Sequence, residues 1–284
     1  MGSVLQAVAL GMFVMLAGTI PRNILFAANL RYQTGVPWAV PLTAAYLCGF
    51  WWYLRGGGPP RSTSDIRRDR LRANRVPGRV WTWALLAGGL GIVALVLVLR
   101  VANRMVSLPP QTLPDLSQVP TFTVWGLLLM AAPVAGIVEE AAFRGYMQGP
   151  IERRYGLTVA ILITGTMFAV AHLDFTLILW PYYVAVAALY GTVTYLTNSI
   201  WPAVVLHTGG NIYSNIDLLL HGRADWQAPS RDAALVWATG VDTAFVRLAI
   251  ALLVAAAGML WAYANLADEA RTCGEPLTIW RNPR

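Results

Sequence analysis

Three short stretches of this chain put chemically capable side chains where the surrounding sequence is apolar. They read Glu139-Glu140-Ala-Ala-Phe143-Arg144, Phe168-Ala-Val-Ala-His172 and His207-Thr-Gly-Gly-Asn211. Two of the chain's three histidines and its adjacent glutamate pair fall inside them. Ionisable groups within membrane-length apolar segments are costly and mark function. Glu140 and Arg144 stand four residues apart, so on an α-helix they share a face and pair. Glu139 is turned by about 100° from Glu140, away from Arg144, and is left as an acid that needs another partner. His207 and Asn211 also share one helical face. A carboxylate held away from bulk water can take a proton from a water molecule. An imidazole with an amide can donate to the oxyanion that forms on an attacked carbonyl. The chemistry available is amide hydrolysis by activated water. A proton or ion relay through Glu139 and Arg144 draws on the same residue types.

The elements that must hold these groups are membrane helices. Of the 284 residues, 57% are hydrophobic and 12% charged, which excludes disorder and a disulfide scaffold and disfavours a soluble enzyme. Eight apolar runs of spanning length recur, at about 4–20, 35–54, 80–100, 122–147, 157–174, 177–197, 200–220 and 243–264. The expected fold is therefore all-α: a polytopic membrane protein of about eight transmembrane helices, residues 1–284 forming one integral-membrane domain. The first run lacks a basic leader and a small-residue cleavage site, so it reads as a span.

All 21 basic residues other than histidine are arginine. Residues 55–79 hold eight arginines and two aspartates, a net of +6, while the other 259 residues carry thirteen arginines against twelve acids. The positive-inside rule places this basic loop, and with it both termini, in the cytoplasm. On that count Arg22 and Arg31 lie in an outer segment, and the loop 148–156 lies inside. Residues 64–76 are expected to form a short helix on anionic lipid. The charge thus reports orientation, and no nucleic-acid partner is expected.

Depth along ideal helices is consistent with one cavity. Glu139 comes out about 14 Å from a helix end near residue 148, His207 about 10 Å and Asn211 about 16 Å from a start at 200, and His172 about 22 Å from a start at 157. Pro133 is expected to loosen the helix six residues before Glu139. Gly209 and Gly210 are expected to admit a neighbouring backbone. Asn215 continues the His207–Asn211 face. Asp217 and His221 read as an interfacial pair, and Asp174 as a helix cap or a group facing outer water.

Together the three motifs resemble the CPBP family of intramembrane proteases, which includes the CAAX prenyl endopeptidase and bacterial bacteriocin-processing or immunity proteins. The family pattern E-E-x-x-x-R, F-x-x-x-H and H-x-x-x-N is complete here and in order, over about residues 120–220. The resemblance implies a catalytic core there, with Glu139 as the base that activates water and His172 positioning that water or sharing its proton. His207 and Asn211 would form the oxyanion hole, supported by Glu140, Arg144 and Phe168. It implies a membrane-associated protein or peptide substrate, prenylated or anchored at its C-terminus, with the bilayer as the other partner. The all-arginine, alanine-rich usage hints at a high-GC genome, and a bacterial cytoplasmic membrane is the expected location. No cofactor is expected: there is no H-E-x-x-H, and asparagine is a poor zinc ligand. Zinc held by Glu139, His172 and His207 is the alternative. A catalytically idle immunity or binding protein of the same fold is the functional rival, with a proton-coupled transporter behind it.

Overall fold

The computed structural model describes residues 2–32, 35–107, 116, 118–172, 177–221 and 234–273. Among them every regular element is helical. The chain runs α1 Gly2–Tyr32, α2 Ala39–Leu54, a single 3-10 turn Arg61–Thr63, α3 Ser64–Leu71, α4 Gly78–Met105 and α5 Thr121–Glu139. A π-helix, Glu140–Gln148, continues α5 directly into α6 Gly149–Tyr155. Then follow α7 Leu157–Ala171, α8 Trp180–Thr197, α9 Trp201–His221, α10 Val236–Thr239 and α11 Thr243–Thr272. Four stretches are long and apolar enough to cross a membrane by length and composition: Val4–Tyr32, Gly78–Met105, Thr121–Tyr155 and Thr243–Thr272. The apolar helices α2 and α7 are shorter, at 16 and 15 residues.

Two expected boundaries move. α1 does not stop at residue 20 but passes through Pro21 to Tyr32, so Arg22 lies inside a membrane-length helix. Proline is tolerated there because neighbouring helices can satisfy the freed backbone groups. The anticipated helix end at Gln148-Gly149-Pro150 is also absent. Pro150 sits in the first turn of α6, where its missing N–H costs little, and the helix runs on to Tyr155. The supposed inner loop 148–156 is therefore helical. The loosening expected at Pro133 comes instead after Glu139, where the winding changes from α to π.

Small residues set the helix crossings. A Cβ on Gly136 of α5 would collide with Thr208 Oγ1 and meet Val204 O at 3.1 Å, both on α9. The close approach thus occurs at Gly136 and not, as expected, at Gly209, where nothing lies within 4 Å. Gly88 and Gly91 of α4 take the side chains of Leu206 and Leu189 in the same way. α4 and α11 lie antiparallel: Trp83 meets Trp261 edge-on at 5.2 Å, Arg79 pairs with Glu269 at 3.3 Å at one end, and Arg104 with Asp242 at 2.6 Å at the other. Asp242 also caps α11 by accepting from Phe245 N at 2.7 Å. These hydrogen bonds, that from Arg104 foremost, hold its carboxyl below the usual carboxylate range. The outer face of α11, with Ile250, Leu253, Val254 and Leu260 exposed, is the kind of surface lipid covers.

The basic loop is not simply a lipid-facing helix. α3 ends at Leu71, which is fully buried, and Arg72 follows in a left-handed conformation (φ 53°). Arg67 is buried, donating to Gly57 O at 2.8 Å and lying 4.1 Å from the Tyr53 ring. Arg72 pairs with Glu152 at 2.8 Å, both side chains no more than 3% exposed. Burial presses the Arg72 guanidinium below its ordinary pKa, and Glu152 opposes that shift. Gln148 completes the knot by donating to Glu152 Oε2 at 2.8 Å and to Gly191 O at 3.0 Å. Arg55, Arg61, Arg68, Arg75 and Arg79 remain exposed.

Two outcomes follow from these contacts. Gly136→Ala should lower the unfolding temperature of the purified protein by several degrees, because overpacking costs about 1–3 kcal/mol, whereas Gly209→Ala should not lower it. Glu152→Ala should destabilise by about 3–5 kcal/mol, the usual result of stranding a buried charge; a thermal melt that matched wild type would contradict the burial of Arg72.

Candidate active site

The site is built where the π-helix meets α7, α8 and α9. Glu140 lies in the first turn of the π-helix and is completely buried, as is Arg144 four residues on. Their 3.0 Å contact is an ion pair by distance, without directed hydrogen-bond geometry at Arg144 Nη1. The expected pairing is present, but Glu140 does more. Its Oε1 also lies 2.7 Å from Nδ1 of His207 on α9. A carboxylate oxygen only accepts, so Nδ1 carries the proton. The other ring nitrogen, Nε2, faces Glu139 Oε2 at 3.7 Å. His207 thus has a carboxylate at each nitrogen.

Aromatic rings lock this arrangement. Tyr190 of α8 stacks on His207 at 5.1 Å and 11°. The Arg144 guanidinium lies 5.2 Å from the Phe168 ring and 5.3 Å from Tyr190. Such cation–π contacts are strongest when desolvated. Phe168 also meets Phe143 at 5.2 Å, which joins α7 to the π-helix. The two glutamates differ in access: the Glu139 side chain is 13% exposed and Glu140 is 0% exposed. Glu139 is the less deeply buried of the two carboxylates. Its Oε2 is buried with no hydrogen-bond partner in the protein.

The four residues Glu139, Glu140, Arg144 and His207 are brought together. His172 is not in the same cluster. It ends α7, is exposed, and donates from Nδ1 to Phe168 O at 2.8 Å. Its ring packs on Phe168 at 4.5 Å and on Tyr183 at 4.8 Å, while Phe168 lies 6.4 Å from His207. Phe168 is therefore a ring that neighbours both histidines. Asn211 stands one turn beyond His207 on α9 and is partly buried. Asn215 ties α9 to α5 by donating to Leu128 O at 2.7 Å, so it is occupied structurally. Asp174 and the side chain of His221 lie outside the described residues.

Among the described residues no three histidine, cysteine, aspartate or glutamate side chains gather as a metal site, so Glu139, His172 and His207 do not form such a group. His207 Nδ1 is held by Glu140 and His172 Nδ1 by the Phe168 carbonyl.

Sequence reasoning missed Tyr190 and Tyr183. The two tyrosines belong to no motif and sit in an ordinary apolar helix.

The class this defines is a multi-pass helical membrane protein with a carboxylate–histidine centre. Residues 121–213 match the family described as type II CAAX prenyl endopeptidase Rce1-like, from the start of α5 into α9. Over those residues the chain is similar to the CAAX protease, or CPBP, family. No curated protein and no solved structure matches the chain.

One consequence of the packing is open to direct test. Arg144→Lys should not replace arginine: a compact ammonium cannot keep both the rings and Glu140. Unfolding temperature should fall for Arg144→Lys and further for Arg144→Ala, which strands the fully buried Glu140; equal stability of Arg144→Ala and wild type would refute the pairing.

Proposed function

We propose that the protein is an intramembrane endopeptidase that hydrolyses a peptide bond with water activated by Glu139. The observation that carries this reading is the pair of carboxylates at opposite nitrogens of His207, one fully buried and one partly buried. Glu140 holds the ring and its tautomer. Glu139 and His207 Nε2 then offer two acceptors, 3.7 Å apart, to one water molecule seated beside them. Glu139 takes a proton from that water. The oxygen bonds to the carbonyl carbon, and the C=O π pair moves onto the carbonyl oxygen. When the oxyanion collapses, the C–N bond breaks and the proton passes from Glu139 to the leaving nitrogen.

In this reading His207, with Nδ1–H committed to Glu140, accepts at Nε2 and so positions water, in place of the oxyanion-donor part that the resemblance implies. Asn211, one turn along, is the amide donor to the oxyanion. His172, at the exposed end of α7, lines the rim where substrate approaches. No metal takes part in these steps.

The substrate is a membrane-associated protein or peptide precursor, prenylated or anchored at its C-terminus. The chain is one membrane domain of eight spans, with residues 120–220 as its catalytic core, both termini in the cytoplasm and a bacterial cytoplasmic membrane as its place. The exposed arginines of residues 55–79 support that orientation.

The test uses purified protein in nanodiscs with a library of C-terminal tail peptides, prenylated and unprenylated. Wild type should cleave, and Glu139→Gln should lose at least about 10³-fold in rate, the order expected of a general base and nucleophile activator. His207→Ala should lose a similar factor, and a chelator should change nothing. If Glu139→Gln cleaves as fast as wild type, the proposal is wrong. Binding without cleavage would favour an idle binding protein of the same fold.

A further inference from the structure

α1 lies outside the matched segment, yet it walls the site. Gly11, Gly18 and Arg22 are spaced by seven and four residues and share one helical face. A Cβ on Gly11 would meet Met147 Cβ at 2.9 Å and Ala142 O at 3.0 Å, and one on Gly18 would collide with Val138. α1 thus runs antiparallel to α5 and the π-helix, and Arg22 stands one turn beyond the level of Val138. Helix side chains lean toward the N-terminus, which carries Arg22 back toward Glu139. The two charges lie within electrostatic reach of each other. Arg22 Nε and Glu139 Oε2 are both buried without a hydrogen-bond partner in the protein. The Phe26 ring, 5.5 Å from the guanidinium, backs it from the next turn.

Charge arithmetic gives this cation a purpose. Glu139, Glu140 and Arg144 sum to −1 with His207 neutral, and Arg22 brings the site to zero. Arg144 is committed to Glu140 and two rings. During the hydration step the charge of Glu139 does not vanish: it moves to the oxygen of the attacked carbonyl. A cation on the α1 wall within electrostatic reach of Glu139 opposes that charge throughout, and in a water-poor cavity this is worth far more than in water.

We infer that Arg22 of α1 is a further catalytic residue of this site, its guanidinium binding the carbonyl oxygen of the scissile peptide and holding the charge that collects there. The inference rests on the amide-hydrolysis reading of Glu139. It makes α1 part of the active centre. It also supplies the oxyanion donor that His207, held as an acceptor at Nε2, does not.

The test pairs turnover with a binding measurement that needs none. The probes are a hydrophobic tripeptide phosphonate, anionic and tetrahedral, and its neutral carboxamide counterpart, titrated into nanodisc-embedded protein. Wild type should prefer the phosphonate. Arg22→Gln should lose about 100-fold on the phosphonate, the scale of one oxyanion donor, and stay within about twofold on the carboxamide, an uncharged ligand that never gains the donor's full strength. The kcat for peptide cleavage should fall by the same factor with KM little changed, and Arg22→Lys should recover part of both. Should Arg22→Gln fail to fold, Glu139→Gln against the charge-balanced Glu139→Gln/Arg22→Gln gives the same comparison. A wild type with no phosphonate preference, or equal losses on both probes, overturns the assignment. A protein that prefers the phosphonate through Arg22 but cuts no peptide sinks the peptidase reading alone. A working peptidase with unchanged kcat in Arg22→Gln sinks the Arg22 assignment alone.

Discussion

The buried chain Arg144–Glu140–His207 is the constraint around which the rest of the bundle is arranged. Three polar groups that share one carboxylate oxygen must stay together once they leave water, because losing any partner strands a charge in a low-dielectric interior. Their demand fixes where α9 stands against the π-helix, since Glu140 must reach His207 Nδ1 at 2.7 Å. It fixes α7 and α8 as well, because Phe168 and Tyr190 supply the rings that flank the guanidinium. The small residue Gly136 lets α5 and α9 come close enough for this to happen.

The π-helix gives the centre its shape. Wider winding from Glu140 to Gln148 changes the angular offset between successive side chains, at the point where one glutamate is fully buried and its neighbour partly buried. Single-turn π segments often occur at functional sites; here the segment is nine residues long and every one of them is buried. At its far end Gln148 and Glu152 engage Arg72, so the basic loop that reports orientation is also bolted to the element that carries the site. α1 packs along the same segment through Gly11 and Gly18.

Much of the site was legible as residue types and spacing. Glu140 with Arg144 follows from i,i+4 geometry, and the need of Glu139 for a different partner follows from its rotation. Less legible was the identity of that partner. Nothing in the spacing of His207 and Asn211 shows that the imidazole lies between both glutamates, because that depends on how α9 crosses α5. The depth argument placed His172 higher than the others, and the structure accounts for it: His172 terminates α7 at the exposed rim, with Phe168 neighbouring both it and His207.

The amino-acid sequence by itself determined the helical class, the membrane-length apolar runs, the concentration of positive charge at residues 55–79 and the motif set that carries the chemistry. These are local properties of composition and period. Helix ends were weaker. Pro21 and Pro150 look like stops, yet packing against neighbours carries the helices through both. Only the tertiary structure decided which glutamate is fully buried, which nitrogen of His207 meets Glu140, and that Arg22 lies within a membrane-length helix rather than in an outer loop. Each of these depends on distances between segments far apart along the chain, and hydrophobic periodicity carries no information about such distances.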